Sequence, residues 1–305
     1  MNAKSSAGDR VSAVIVHYKT PEDTTEAADA LARTAPGAEI LVVDNASEDR
    51  IADLLTARVP RARLLREPAN RGYGAACNRG ARESARPYLL FLNSDARVRP
   101  EAVARLEAAL DSDPGAAAAG PRLIGEDGTP KGSIRRLPTP WRIFCESTGL
   151  AFLAGGRRPL AGHTAAREDH STLRPVEALM GAALMVRRSA IEELGGFDES
   201  FFLYAEETDL MKRWRDAGRR LLFVPEAQVV HTGGRSGGDR LFGQLHASLV
   251  RYVEKHHGRT AARLSAAALD AGAALRYAAA WLTPGERGRA RRERYRAALS
   301  RKAAR

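Results

Sequence analysis

The chain has 305 residues, 44% of them hydrophobic, which is enough for one large α/β domain with appendages or for two smaller domains. Its two cysteines, Cys77 and Cys145, exclude a disulfide framework and a four-ligand zinc site. The formal net charge of +11 is concentrated at the end, where Gly285 to Arg305 carries nine Arg or Lys against two Glu, so the remainder is only mildly basic.

Residues 1–10 read as a disordered start. Short apolar, β-branched runs at Val11–Val16, Glu39–Asp44, Ala62–Leu65 and Tyr88–Leu92 predict strands. Between them, Pro21–Thr34, Ala46–Ala57 and Gly74–Ser84 place apolar residues at helical spacing. Nearly continuous apolar strands separated by helices imply a mostly parallel sheet covered on both faces, which binds its ligands beyond the carboxyl ends of the strands. His17-Tyr18, Asp44-Asn45 and Asn93-Ser94-Asp95 fall at those ends and are expected to converge on one crevice.

Beyond Arg99 the pattern changes. Pro100 to Leu110 predicts a helix begun by proline. Gly125 to His170, rich in Gly, Pro and Arg without clear periodicity, reads as a mobile loop over the site. Order returns at Val176–Val186, followed by helices at Ser189–Leu194 and Glu206–Ala217, the second ended by Gly218. Strands at Arg220–Val224 and Gln228–His231 come next, then amphipathic helices at Leu241–His257 and Ala261–Leu282. No internal repeat is visible.

The polar clusters allow two readings each. Asp44 is placed to cap the helix after its strand. Asp95 has the same option, but the next helix waits until Pro100, which leaves its carboxylate free to ligate a metal. Glu206, Glu207 and Asp209 are either solvated acids favoured by a helix N-terminus or the source of a base. A base beside a cation suits transfer of a group from a phosphate ester. An isolated histidine is usually structural, yet His231 ends a strand just before Thr232-Gly233-Gly234 and is a second candidate ligand.

Six segments together carry a specific resemblance: Val14-Ile15-Val16-His17-Tyr18, Val42-Val43-Asp44-Asn45-Ala46-Ser47, Asn70 to Asn78, Phe91-Leu92-Asn93-Ser94-Asp95, Gly196 to Phe202, and Glu206-Glu207-Thr208-Asp209-Leu210. The chain resembles inverting glycosyltransferases of family 2, which have the GT-A fold, and within them the bacterial rhamnosyltransferase-like branch. The resemblance implies a domain over 11–238, with a nucleotide-binding half at 11–99 and an acceptor and catalytic half at 100–238. Residues 239–305 are left as C-terminal helices and a basic tail.

It also implies roles. Tyr18 would lie against the nucleobase and Asp44 on its ring N–H, with His17, Asn45, Asn78, Asn93 and Ser94 in the same nucleotide-sugar site. Arg71 would approach the base or the phosphates, and Gly72 and Gly74 would let the backbone pass close. Asp95 matches the last Asp of the family's metal motif, whose first position is here the weaker ligand Asn93. His231 and the diphosphate would complete the shell around Mg²⁺ or Mn²⁺. Glu207 is expected as the base, Glu206 as second choice, and Asp209 to hold geometry; Glu207 stands where the family more often has Asp.

The implied activity is metal-dependent hexosyl transfer from a nucleoside-diphosphate sugar, dTDP-L-rhamnose by resemblance or a UDP-sugar as alternative. The acceptor would be a glycan or polyprenyl-linked glycan in cell-surface polysaccharide synthesis. A basic nucleic-acid-binding protein would account for the tail but not for the acidic clusters. A dinucleotide-dependent dehydrogenase fails because His17-Tyr18-Lys19-Thr20-Pro21, not a glycine-rich turn, follows the first strand. No secretory start or apolar run of about 20 residues is present, so a cytoplasmic location is expected. Leu264, Leu269, Leu275, Trp281 and Leu282 with the Arg cluster behind them read either as an interfacial contact at the inner face of the cell membrane or as a packing helix with a solvated tail.

Overall fold

The computed structural model describes residues 7–153, 155, 159–164, 168–233 and 241–299. Residues 1–6 of the expected disordered start, Gly234 in the turn after His231, 300–305 of the basic tail, and 154, 156–158 and 165–167 of the expected loop lie outside the described residues.

In chain order the elements are β1 (Val11–His17), α1 (Pro21–Thr34), β2 (Glu39–Asp44), α2 (Ile51–Arg58), β3 (Arg63–Arg66), α3 (Tyr73–Arg82), β4 (Tyr88–Asn93), β5 (Ala96–Val98), α4 (Ala102–Ser112), β6 (Ala116–Ile124) and β7 (Ile134–Arg135). There follow α5 (Pro140–Ser147), α6 (Leu150–Leu153), β8 (Arg174–Pro175), β9 (Ala178–Leu179), β10 (Ala183–Arg187), α7 (Arg188–Leu194), α8 (Glu206–Asp216), β11 (Arg220–His231), α9 (Phe242–Ala279), a 3₁₀ turn (Ala280–Leu282) and α10 (Gly285–Leu299). The described residues form two compact units, one drawn from 1–135, 169–202 and 206–236, the other from 136–168, 203–205 and 237–305.

The first unit is built on a sheet of order β3-β2-β1-β4-β10-β6-β11-β5, with β8 added to β11 and a separate β7–β9 pair. By paired length it is mostly parallel, as β1 pairs with β2 and β4, β2 with β3, and β6 with β11 in parallel, while β10 runs antiparallel between β4 and β6. Every residue of β1 is buried, as expected of a strand covered on both faces. The helix α3 lies close on that strand, because a Cβ at Gly80 would sit 2.4 Å from Val14 Cγ1.

Register positions the functional ends. His17 pairs with Asp44, and Val16 with Asn93, so the polar ends of β2, β1 and β4 leave the sheet at one edge, with neighbouring strands about 4.8 Å apart. The two strands expected at Arg220–Val224 and Gln228–His231 are one. β11 is interrupted where Val224 opposite Pro121 gives way to Gln228 opposite Arg122, because Pro225 and Pro121 both lack the N–H that a regular ladder needs.

The second unit corrects the expectation of an aperiodic loop over Gly125 to His170. Thr139 caps α5 by accepting a hydrogen bond from the Arg142 N–H (3.2 Å), and Pro140 occupies the first turn. The far end of α5 is satisfied by α9: the Arg276 guanidinium donates to the carbonyls of Glu146 and Ser147, each at 2.7 Å. Gly272 permits the approach, since a Cβ there would lie 2.4 Å from the Ser147 carbonyl oxygen. The expected break between two C-terminal helices occurs at Gly258, whose φ of 86° interrupts α9. Much of the basic tail is helical, as α10.

Candidate active site

At the carboxyl end of β2, Asp44 and Asn45 each hold a neighbouring loop. Asp44 is buried and its Oδ1 accepts the Ser47 N–H at 2.9 Å, while Ser47 Oγ accepts the Lys19 N–H at 3.0 Å, tying together the loops that follow β1 and β2. These loops keep Lys19, Ala46 and Glu48 at φ values of 56°, 62° and 53°, a conformation that costs a non-glycine residue about 1 kcal/mol or more. The Asn45 amide donates to Asn70 Oδ1 (2.8 Å) and the Gly72 carbonyl (3.2 Å), and its oxygen accepts the Arg71 N–H (3.3 Å). Asn45 thus shapes the Asn70-Arg71-Gly72 turn.

That turn is pressed against the segment before α8. Gly72 has φ 94°, a Cβ on it would come 2.2 Å from the Phe202 carbonyl oxygen, and the Tyr73 N–H donates to the same oxygen at 2.9 Å. Gly74 lies near Phe197 and Glu206. Asn78 pins Phe197 by both its N–H and its carbonyl, at 2.9 Å each, and donates to Glu199 at 3.1 Å. Arg71 is exposed and pairs with Glu199 at 2.6 Å. Glu199 carries no signal in the sequence that sets it apart from its neighbours Asp198 and Ser200.

His17 and Tyr18 separate. His17 is fully buried, with Nδ1 2.8 Å from Thr24 Oγ1 and Nε2 3.1 Å from the Asp49 carboxylate, so both ring nitrogens are engaged inside the fold. Tyr18 is 40% exposed, with the Lys19 ammonium 5.3 Å from its ring centre.

The end of β4 meets the end of β11. Thr232 N–H donates to the Asp95 carbonyl (3.2 Å), Gly233 N–H donates to Asp95 Oδ2 (3.1 Å), and His231 Nε2 lies 3.4 Å from Asp95 Oδ1. Burial opposes ionisation of Asp95, but His231 and the Gly233 N–H outweigh it and hold its carboxyl below the usual range. Ser94 accepts from Thr20 Oγ1 at 3.1 Å, and Asn93 is partly exposed while its N–H donates to the Ala182 carbonyl at 2.9 Å. Lys131, which sequence reasoning did not single out, donates to the carbonyls of His231 and Thr232 at 2.5 and 2.9 Å. Among the described residues, no three His, Cys, Asp or Glu side chains are gathered for a metal. The Asp95–His231 pair supplies two donors. Their 3.4 Å separation fits adjacent positions of a six-coordinate shell, which are about 3.0 Å apart, with the others left to substrate oxygens.

The acidic helix start lies beside this edge. Glu207 is half-buried over Gly181, where a Cβ would fall 2.7 Å from Glu207 Cγ, and Ala182, one residue on, receives the Asn93 N–H. Glu206 is 4% exposed, and its Oε2 has no hydrogen-bond partner among the described residues. Burial, then the charge of Glu207, pushes the Glu206 carboxyl well up. Burial also raises Glu207, against the opposing pull of Arg135. Asp209 is fully buried and accepts from Arg213 Nε at 2.8 Å; Arg213 in turn donates to the carbonyls of Leu194 and Gly196 at 2.9 and 2.6 Å, anchoring α8.

Residues 12–195 match the family model Glycosyl transferase family 2. The N-acetylglucosaminyl-diphospho-decaprenol L-rhamnosyltransferase of Mycobacterium tuberculosis is 32% identical over 237 residues, covering 72% of this chain and 76% of the relative. A low-salt glycan biosynthesis hexosyltransferase of Haloferax volcanii is 28% identical, over 73% of this chain and 66% of the relative. Among solved structures, a mannosyltransferase from Pyrobaculum calidifontis, in complex with GDP-Man and Mn²⁺, superposes with a TM-score of 0.58 at 17% identity, over 98% of this chain and 87% of that one.

Proposed function

Since the chain belongs to glycosyltransferase family 2, we propose that it is an inverting hexosyltransferase that moves L-rhamnose from dTDP-L-rhamnose to a polyprenyl-diphosphate-linked glycan. The observation that carries the reading is the placement of Glu207 over Gly181, one residue before the Ala182 that binds Asn93, which sets a half-open carboxylate beside the Asn93-Ser94-Asp95 strand end. The likeness to a rhamnosyltransferase supports the choice of sugar and of a lipid-linked acceptor.

In this reading Tyr18 and Asp44 hold the base, and His17, Asn45, Asn78 and Ser94 shape the loops around it. Arg71 leaves Glu199 for the donor's phosphates. Asp95 and His231 would hold a divalent cation, Mg²⁺ or Mn²⁺, which when bound neutralises charge on the leaving nucleoside diphosphate. Glu207 takes the proton from the acceptor hydroxyl as that oxygen attacks the anomeric carbon from the face opposite the leaving group. Burial raises both carboxyls, and Glu206, 4% exposed with its Oε2 unpartnered among the described residues, is the worse placed of the two to bear a charge, which leaves the more accessible Glu207 as base. Asp209, through Arg213, fixes the helix that carries both.

A donor panel tests this. Purified protein, Mg²⁺ or Mn²⁺ and a short-chain polyprenyl-diphosphate N-acetylglucosamine should release dTDP from dTDP-L-rhamnose faster than UDP from UDP-sugars. Faster turnover of a UDP-sugar would replace the donor assignment with the alternative. No turnover of any donor, with tight binding to nucleic acid, would favour the binding-protein reading.

A further inference from the structure

The second unit carries most of the large apolar side chains that the described residues leave in water. Nine of the twelve exposed large hydrophobic residues among those described belong to it. Phe152 and Leu153 in α6 are 88% and 80% exposed, and Trp281 and Leu282 in the 3₁₀ turn are 64% and 87% exposed. Arg276 ties the two chain segments that carry these pairs to one junction. Its guanidinium holds the last carbonyls of α5, so α6, which starts three residues later, and the 3₁₀ turn, which starts four residues after Arg276, both leave from that junction.

The charge of α10, which follows the 3₁₀ turn, is predominantly positive. Within α10, arginines occupy 287, 289, 291, 292, 294 and 296 against Glu286 and Glu293. Arg292 bridges the two chemistries: it lies 4.4 Å from the Trp281 ring centre and donates to the Ala280 carbonyl at 3.1 Å. An exposed tryptophan with Leu282 beside it, Tyr277 edge-on and Arg292 over its ring matches the boundary between lipid headgroups and acyl chains, where an aromatic ring is half wet and a guanidinium finds phosphate. No helix of the described residues is long and apolar enough to cross a membrane, so the contact is with a surface.

We propose that the second unit docks on the surface of an anionic phospholipid bilayer, with Phe152-Leu153 and Trp281-Leu282 inserting and the α10 arginines engaging the headgroups. This extends the expected tail contact to α6, a leg of the surface that the sequence did not suggest. It also deepens the reading of a lipid-linked acceptor, since it keeps the enzyme where such an acceptor resides.

Co-sedimentation of the full chain with vesicles tests it, comparing phosphatidylcholine alone with phosphatidylcholine containing phosphatidylglycerol. The chain should prefer the anionic vesicles, and about 0.5 M NaCl should release most of it. Phe152→Glu with Leu153→Glu, and separately Trp281→Glu with Leu282→Glu, should each lower the partition coefficient about tenfold or more. Arg289→Gln with Arg291→Gln, both exposed on α10, should lower it without touching the apolar pairs, and circular dichroism checks that every variant folds. Unchanged binding in both glutamate pairs, or equal binding to neutral and anionic vesicles, would overturn the proposal. So would a dimer seen by sedimentation velocity and dissolved by either pair in a chain that ignores vesicles, which would assign the face to a second copy. Turnover of a water-soluble acceptor should persist in the variants; its absence in the unaltered chain would count against the transferase reading and leave docking to be judged by the vesicles.

Discussion

Glu207 rests on Gly181 so closely that a methyl group on the glycine would approach Glu207 Cγ to 2.7 Å. Gly181 is not among the glycines with positive φ, so alanine would meet no backbone strain there and would act only by displacing the carboxylate. Gly181→Ala should therefore lower kcat about 100-fold with little change in donor KM, because a shift of about 1 Å in a reacting group has that effect. Steady-state kinetics with the preferred donor checks this; an unchanged kcat would separate Glu207 from the chemistry.

Removing the proposed base, Glu207, should cost more. Glu207→Gln should lower kcat about 10³-fold, within the usual range for losing a general base, while calorimetry shows the donor still bound. If Glu206→Gln is the inactive variant and Glu207→Gln turns over normally, the roles within the pair are reversed.

The pair also makes a pH signature. Glu207 must be ionised to accept a proton, and burial raises its pKa, so kcat should fall on the acid side at a pH above the ordinary glutamate range. Arg135 opposes that rise, so Arg135→Gln should move the acid limb to still higher pH. For stability the sign is opposite to that of a salt-bridged carboxylate. The raised folded pKa of Glu206 gives stability that is fully present below the ordinary glutamate range and lost as pH rises through the folded value. Glu206→Gln should flatten the fall in Tm that calorimetry records as pH rises above the ordinary glutamate range.

Asp95→Ala should reduce metal-dependent transfer by about 10³-fold or more while leaving the far-ultraviolet circular dichroism spectrum unchanged. The carboxylate sits at a strand end, and the ladder pairs of β4 and β5 do not use it. Full activity in this variant would remove Asp95 from the site.

Gly80→Ala sets two effects against each other. Alanine in a helix interior gains about 1 kcal/mol over glycine. The new Cβ, however, would meet Val14 Cγ1 at 2.4 Å and Cγ2 at 2.9 Å in a fully buried strand, and overpacking costs about 1–3 kcal/mol. The clash should prevail, with a net loss of about 1 kcal/mol read from denaturant unfolding.

The strands β1, β2 and β4 and the helix α1 were legible in the sequence alone, because a strand buried on both faces has to be apolar throughout and a helix has to repeat its apolar face. The acidic motifs were legible for a related reason: Asn93-Ser94-Asp95 and Glu206-Glu207 interrupt or border apolar runs, where charge is costly unless it is used. α5 was missed because eight residues give too little periodicity, although Thr139-Pro140 carried its start signal. Long-range partners stayed out of reach of local pattern. The β5–β11 ladder alone sets His231 opposite Ala96 and so beside Asp95. Only the packing of α8 places Glu207 over Gly181, and only Arg276 ties the end of α5 to α9. Sequence determines which segments bury themselves and which polar residues stand at their ends. Tertiary structure decides which ends meet, because that depends on strand register and close approach between residues far apart in the chain.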